Sequence, residues 1–130
     1  MSKFNVYYED TDASGRVYHA NYLKFFERSR TDLIYQTKYT HEILLDKFNI
    51  IFVVKKRSIE FEKPAFFEDT IKVISKIDQL SRVKIKFNQK IFRNSSLLVQ
   101  AQILVIPVNT KGKITKLPNE LYIILEKLKN

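Results

Sequence analysis

Two aspartates, Asp10 and Asp12, stand two positions apart in a segment rich in turn-forming residues. Gly15 follows them, and a long helical pattern begins near His19. The first turn of a helix presents backbone N–H groups without a partner, together with the positive end of the helix dipole. Such groups can stabilise a carbonyl oxygen as it becomes an oxyanion, and a neighbouring carboxylate can attack the carbonyl or activate water. The segment therefore predicts an acyl-transfer site that needs no metal, serine or cysteine.

The same side chains also have structural interpretations. An aspartate that precedes a helix is often a cap, and a histidine at a helix start more often packs on the surface than reacts. Asp10 is expected to orient the loop rather than to react. A metal site built from Glu9, Asp10, Asp12 and His19 would match no standard ligand spacing, so we predict no metal.

The hydropathy pattern predicts the elements that hold this segment in place. An alternating, aromatic strand over residues 3–8 leads into the loop, and the helix over residues 19–37 carries a broad apolar face. A shorter helix is predicted over residues 40–48, with Thr40 as its N-cap. The remaining chain shows strand patterns over residues 50–62, 70–79, 83–91 and 97–108, followed by an amphipathic helix over residues 119–128.

The order of these elements predicts the fold class. A strand, a long helix and then a run of antiparallel strands indicate an α+β protein. One helix cannot cover both faces of such a sheet, so we expect a curved sheet that wraps the early helix. The other face then needs a second cover, and a partner subunit is the most economical one. We therefore predict a homo-oligomer.

The composition limits the class of protein further. The 130 residues have the length of one domain, which we predict over residues 1–130. The absence of cysteine excludes thiol catalysis and thiolate zinc sites. The first residues lack the apolar stretch of a signal peptide, and the sequence has no run of about 18 apolar residues. We therefore expect a cytoplasmic protein without a transmembrane segment.

The net charge of +9 would attract anions such as nucleic acid, membrane surfaces or phosphorylated small molecules. The charge is spread along the chain as single lysines, apart from a short cluster over residues 55–57. The net charge alone therefore does not choose a partner. The sequence has no helix-turn-helix pattern and no interleaving of aromatic and basic residues, so we predict no nucleic-acid partner.

The segment around the two aspartates resembles the signature of the 4-hydroxybenzoyl-CoA thioesterase family, most closely its Tol-Pal-associated (YbgC-type) acyl-CoA thioesterase branch. The resemblance is carried by Tyr8, Glu9, Asp10, Thr11, Asp12, Gly15, Val17, Tyr18, His19, Asn21, Tyr22, Phe25, Phe26, Glu27 and Arg30. It implies the hotdog fold, in which an antiparallel sheet of about five strands wraps a long helix. It also implies dimers, or tetramers built from dimers, with active sites at the subunit interface.

The resemblance implies roles for single residues. Asp12 becomes the catalytic carboxylate, and the helix start that polarises the thioester carbonyl falls at His19. Two routes stay open, since Asp12 can form a mixed anhydride or act as general base for water. The His19 side chain is a further catalytic candidate, for proton transfer or for orienting water. Tyr18, Tyr22 and Phe26 are predicted to line the acyl pocket. No cofactor is expected, because CoA is part of the substrate.

The phosphates of CoA need cations near the mouth of the site. The candidates are Lys55, Lys56, Arg57, Arg82, Lys84 and Arg93. Arg82 and the cluster over residues 55–57 rank first among them. Each of these side chains alone is more often a solvated surface charge than a ligand contact.

Other functions remain as alternatives to the acyl-CoA thioesterase. A non-catalytic hotdog scaffold could bind acyl carrier protein or enzymes of phospholipid synthesis, and the basic surface would suit the acidic carrier protein. The intact motif around Asp12 favours an enzyme. Related hotdog dehydratases pair a histidine with a carboxylate, so His19 keeps that reaction open. Some hotdog branches use a helix carboxylate, but Glu27 is expected to form an ion pair with Arg30.

Overall fold

The computed structural model describes residues 1–129, so Asn130, the last residue of the predicted domain, lies outside the described residues. Three α-helices and five strands are found in this part of the chain. In chain order they are β1 (Ser2–Asn5), α1 (Tyr22–Tyr35), α2 (His41–Phe48), β2 (Ile51–Phe61), β3 (Thr70–Ser81), β4 (Lys84–Arg93), β5 (Ser96–Val108) and α3 (Asn119–Lys129). Within residues 1–129, no helix is long and apolar enough to cross a membrane.

The five strands form one sheet in the order β1-β3-β4-β5-β2. β1 pairs antiparallel with β3, so that Ser2 lies opposite Val73 and Asn5 lies opposite Thr70. Tight turns join β3 to β4 and β4 to β5, and Asn94 in the second turn has a left-handed φ of 54°. Short connections of this kind join antiparallel neighbours. The predicted α+β hotdog fold is confirmed.

The first strand and the long helix have different bounds from those that the sequence predicted. β1 ends at Asn5 and not at residue 8, since the chain turns into a 3-10 helix over Tyr8–Asp10. The long helix begins as a 3-10 turn over His19–Asn21 and continues as α1 from Tyr22. It ends at Tyr35 because both the N–H and the hydroxyl of Thr37 bond to the carbonyl of Ile34.

The chain divides into two compact units. The first comprises Met1–Leu33, Ile59–Ser75 and Gln89–Ala101. Its core includes Phe25, Phe26, Ile71, Val73 and Ile91. A polar group also lies within this unit, because the fully buried Gln89 donates from Nε2 to the carbonyl of Phe26 at 3.0 Å.

Arg30 is held by this buried glutamine. Its Nη1 donates to Oε1 of Gln89 at 3.0 Å. Glu27 instead accepts a hydrogen bond from the hydroxyl of Thr31. The ion pair predicted between Glu27 and Arg30 is not among the ion pairs of residues 1–129. Burial lowers the pKa of the Arg30 guanidinium, and Glu27 acts in the opposite direction.

The second unit comprises Ile34–Ser58, Lys76–Asn88 and the chain from Gln102 onward. Thr40 is the N-cap of α2, as predicted, and its hydroxyl accepts from the N–H of Ile43 at 3.1 Å. The helix ends at Asn49, which adopts the left-handed φ of 55° that favours asparagine over most residues. On α3, Leu121 and Leu125 are buried in the core of this unit.

Candidate active site

Asp12 lies at the start of a tight loop that two backbone hydrogen bonds close. The N–H of Asp12 bonds to the carbonyl of Arg16 at 2.9 Å, and the N–H of Gly15 bonds to the carbonyl of Asp12 at 3.1 Å. Gly15 has a φ of 80°, where a side chain would be strained. Thr11 and Val17 bridge the base of the loop as an antiparallel pair. These contacts fix the backbone from which the Asp12 carboxylate projects.

One oxygen of the Asp12 carboxylate takes both hydrogen bonds from Ser14. Oδ1 accepts from the Ser14 N–H at 2.9 Å and from the Ser14 hydroxyl at 2.5 Å. The hydroxyl bond is the largest cause that lowers the pKa of Asp12 below its ordinary value, followed by the Ser14 backbone bond. The exposed side chain is therefore ionised at neutral pH. Oδ2 takes part in neither bond.

Asp10 ties the loop to the beginning of the helix. Asp10 is only 3% exposed, and its carboxylate accepts from the N–H of Tyr7 at 2.9 Å and forms an ion pair with Lys24 on α1. The Asp10 carbonyl accepts from the N–H of Tyr18 at 3.0 Å and from Nδ2 of Asn21 at 2.8 Å. The predicted role of Asp10 in orienting the loop is confirmed.

The 3-10 turn over His19–Asn21 forms the entry to the long helix. The N–H of Asn21 bonds to the carbonyl of Tyr18 at 2.8 Å and closes the turn. The N–H groups of His19 and Ala20 precede that bond, at the position where helices leave donors without an internal partner. The exposed ring of Tyr18 packs against the ring of His19, with 4.4 Å between the ring centroids. The turn can therefore offer backbone donors to a carbonyl oxygen.

Asp12 and His19 line the same cavity, which has a volume of about 310 Å³. The other lining residues are Arg16, Val17, Tyr22, Phe61, Glu62, Lys63 and Pro64. All of them belong to the first unit of the chain. The structure thus brings together the two residues that the sequence proposed for catalysis, with space for a reacting group beside both.

Tyr22 is the predicted pocket residue that lines this cavity. Its hydroxyl accepts from the N–H of Ala65 at 3.0 Å, and its ring lies 5.7 Å from that of Phe61. Burial raises the pKa of Tyr22, so the phenol stays neutral. The other two predicted pocket residues are not among the residues that line this cavity: Tyr18 is exposed, with its ring against that of His19, and Phe26 is part of the core.

The sequence patterns do not predict several of the lining residues. Phe61, Glu62, Lys63 and Pro64 lie about 45 positions after the loop and share no motif with it. Arg16 lies inside the loop itself and was passed over; its guanidinium lies 6.0 Å from the ring centre of Phe66. The alternating pattern of β2 marks Phe61 as a strand residue, but only the fold shows that it lies beside the loop.

The cations predicted for the CoA phosphates fall at several places. Lys55, Lys56 and Arg57 are exposed on β2 in the second unit. Arg82 also lies in the second unit, where its Nε and Nη2 donate to the carbonyl of Leu117 at 3.1 and 2.7 Å.

Arg93 lies in the first unit and makes two contacts with other residues of that unit. It pairs with Asp69 at 2.7 Å and also donates to the carbonyl of Pro64. Which of these cations contacts CoA stays a prediction. Among residues 1–129, no three histidine or carboxylate side chains are placed to hold a metal ion.

The Asp12 carboxylate and the start of the long helix thus border one cavity. A family model, the Thioesterase-like superfamily, matches residues 6–125. The chain belongs to this superfamily, and the predicted family and enzyme class are confirmed.

Individual relatives are similar over most of their length. The acyl-CoA thioesterase YbgC of Haemophilus influenzae is 38% identical over 125 residues, covering 95% of this chain and 92% of that protein. The acyl-CoA thioester hydrolase YbgC of Escherichia coli O6:H1 is 36% identical over 105 residues, covering 80% and 78%. The crystal structure of a probable thioesterase from Bartonella henselae superposes with a TM-score of 0.87 at 33% identity, covering 90% and 97%.

Proposed function

We propose that this protein hydrolyses an acyl-CoA thioester to a free acid and CoA, with Asp12 as the catalytic carboxylate. The observation that carries the proposal is the shared cavity, which Asp12 and His19 both line. The printed names of the YbgC relatives, which describe acyl-CoA thioesterases, support the choice of substrate class.

The proposed chemistry begins with the thioester oxygen, which accepts a hydrogen bond from the backbone N–H at His19. Preorganised donors of this kind stabilise the negative charge that develops on the oxygen. Asp12 then acts through Oδ2, because Ser14 already occupies Oδ1. The His19 side chain orients water or transfers a proton to the departing thiolate.

Two routes are compatible with this arrangement. In the nucleophilic route, Oδ2 attacks the carbonyl carbon, the C–S bond breaks, and water then hydrolyses the mixed anhydride. In the general-base route, Asp12 takes a proton from water as the water oxygen attacks the thioester carbonyl carbon, and the C–S bond then breaks to release the CoA thiolate, which takes up a proton. A single turnover in ¹⁸O-labelled water, followed by mass analysis of the peptide that contains Asp12, tests for the anhydride. Label in Asp12 supports the nucleophilic route, whereas label only in the free acid is expected both of the general-base route and of an anhydride that water attacks at its acyl carbonyl.

Substrate class is tested by a hydrolysis screen over acyl-CoAs of graded chain length and over aromatic acyl-CoAs. We expect release of free thiol from at least one series, and loss of that release in Asp12→Asn. Absence of hydrolysis across all of them in a folded protein would contradict the proposal and favour a scaffold that binds without turnover.

We further propose that the working form is a homodimer, or a tetramer built from dimers, joined along β2. β2 is an edge strand of the sheet. It carries exposed apolar side chains at Ile51, Val53, Val54 and Phe61, which are 40 to 52% exposed. Long apolar edges pair readily with another strand. Phe61 also lines the cavity of Asp12, so a partner on this edge would help to enclose the site.

A further inference from the structure

A second cavity lies in the second unit of the chain and has a volume of about 210 Å³. Three lysines line it, Lys56, Lys84 and Lys86, together with the polar side chains of Ser58, Gln79 and Gln102. We propose that this cavity binds a phosphate group. We refer to it as the lysine cavity.

The alternation of the strands explains why these lysines converge. Lys84 and Lys86 flank Ile85 on β4, and Ile85 is buried in the core. Gln102 on β5 likewise precedes the buried Ile103. Because successive side chains of a strand point to opposite faces, the lining residues of β4 and β5 lie on the face turned away from the core.

The lining residues favour an anion. Six of them, the three lysines, Gln79, Gln102 and Ser58, have side chains that can donate hydrogen bonds, Leu104 is apolar, and no carboxylate is among them. Lys86 forms an ion pair with Asp78, whose Oδ2 lies 3.9 Å from its Nζ. That distance is too long for a hydrogen bond, so this pair does not use a donor of the Lys86 ammonium.

Convergence distinguishes this cavity from an ordinary basic surface. A single exposed lysine is normally solvated and needs no ligand. Three lysines that line one small cavity concentrate positive charge there. A doubly charged phosphate would offset that charge while accepting charge-assisted hydrogen bonds. The cavity is large enough for a phosphate group but too small for a whole nucleotide-bearing cofactor.

The phosphate could come from two sources. Lys56 and Lys84 are among the residues that the sequence suggested for CoA, so the 3′-phosphate of CoA is one source. A free phosphate or a small phosphomonoester is the other. The inference concerns binding and does not depend on turnover, so it can fail while the proposed hydrolysis stands, and the reverse also holds.

The test is isothermal titration calorimetry of the full-length protein with inorganic phosphate, CoA and dephospho-CoA, at constant ionic strength. The variant Lys84→Gln/Lys86→Gln removes two of the charges. Lys90→Gln is the matched control, because Lys90 is exposed on the same strand and does not line the cavity. We expect saturable binding that weakens about tenfold or more in the double variant and stays unchanged in the control.

The comparison of ligands identifies the source. Tighter binding of CoA than of dephospho-CoA, with the difference lost in the double variant, assigns the cavity to the 3′-phosphate. Equal binding of both, with competition by inorganic phosphate, assigns it to a free phosphate. Absence of saturable phosphate binding, or equal binding by the double variant, overturns the proposal. If the double variant does not fold, Gln102→Glu, which adds a carboxylate at an exposed lining position, must weaken phosphate binding in the same way.

Discussion

Ser14 binds one oxygen of Asp12 twice, through its backbone N–H at 2.9 Å and its hydroxyl at 2.5 Å. The two bonds hold the carboxylate in one orientation and favour its ionised form. Neither bond uses the other carboxylate oxygen, Oδ2. Ser14 is thus a positioning residue for the proposed reaction, although no part of it needs to touch the substrate.

Replacing Ser14 by alanine should shift the acid limb of the pH profile. The hydroxyl bond is the largest cause that lowers the pKa of Asp12, so Ser14→Ala should raise that pKa toward the ordinary value of 3.8. The proposed chemistry uses the ionised carboxylate, so activity is lost as the pH falls through the pKa of Asp12. The acid limb of kcat/KM should therefore move to higher pH. Ser14→Thr, which keeps a hydroxyl, serves as the control, and an identical acid limb in Ser14→Ala and wild type would contradict this.

Replacing Asp10 by alanine should destabilise the protein. The change removes the acceptor for the Tyr7 N–H and leaves the Lys24 ammonium without its partner. Because Lys24 is partly exposed, we expect a loss of about 2 kcal/mol in the free energy of unfolding, below the cost of a fully buried pair. Urea unfolding measures this loss. A change below about 0.5 kcal/mol would show that the Asp10 contacts contribute little.

The Tyr22 hydroxyl should matter for stability because of a buried amide. Tyr22→Phe removes the acceptor for the N–H of Ala65, a residue that is fully buried. An unpaired buried donor costs about 1 to 2 kcal/mol, which thermal or urea unfolding would detect. Retention of wild-type stability would mean that water or another group replaces the hydroxyl.

A charge on the edge strand should prevent assembly. Val54→Lys places an ammonium group on β2, where natural edge strands use lysine to block pairing. Light scattering should find this variant as a monomer, with reduced hydrolysis if the partner encloses the site. Val83→Lys is the matched control, because Val83 is similarly exposed but lies in the turn between β3 and β4. An oligomer of unchanged size in Val54→Lys would rule out β2 as the interface.

The sequence predicted the parts of the fold that depend on local patterns. The alternation of Ile85 and Phe87 with lysines marked β4, and Thr40 marked the start of α2. It did not predict that β1 would end early, because the bond between the Asp10 carboxylate and the Tyr7 N–H competes with strand pairing over a few residues. Such side-chain bonds to the backbone are not visible in hydropathy.

The residues of the site also differ in whether a local sequence pattern predicts them. Asp12 and His19 could be predicted because they belong to one continuous motif. Phe61 and its neighbours could not, since only the folded chain brings the end of β2 to the loop. Arg30 likewise bonds to Gln89 and not to Glu27, its neighbour along the helix. An acyl carrier protein partner and the tetrameric state stay predictions.

The most direct measurement is the steady-state hydrolysis of the best acyl-CoA substrate by wild type and by Asp12→Asn. The asparagine Oδ1 can still accept both hydrogen bonds from Ser14, so the loop and the melting temperature should be preserved. The account predicts that kcat falls on the order of 10³-fold or more, because neither a nucleophile nor a base remains at this position. A folded Asp12→Asn protein with kcat within about tenfold of wild type would contradict it.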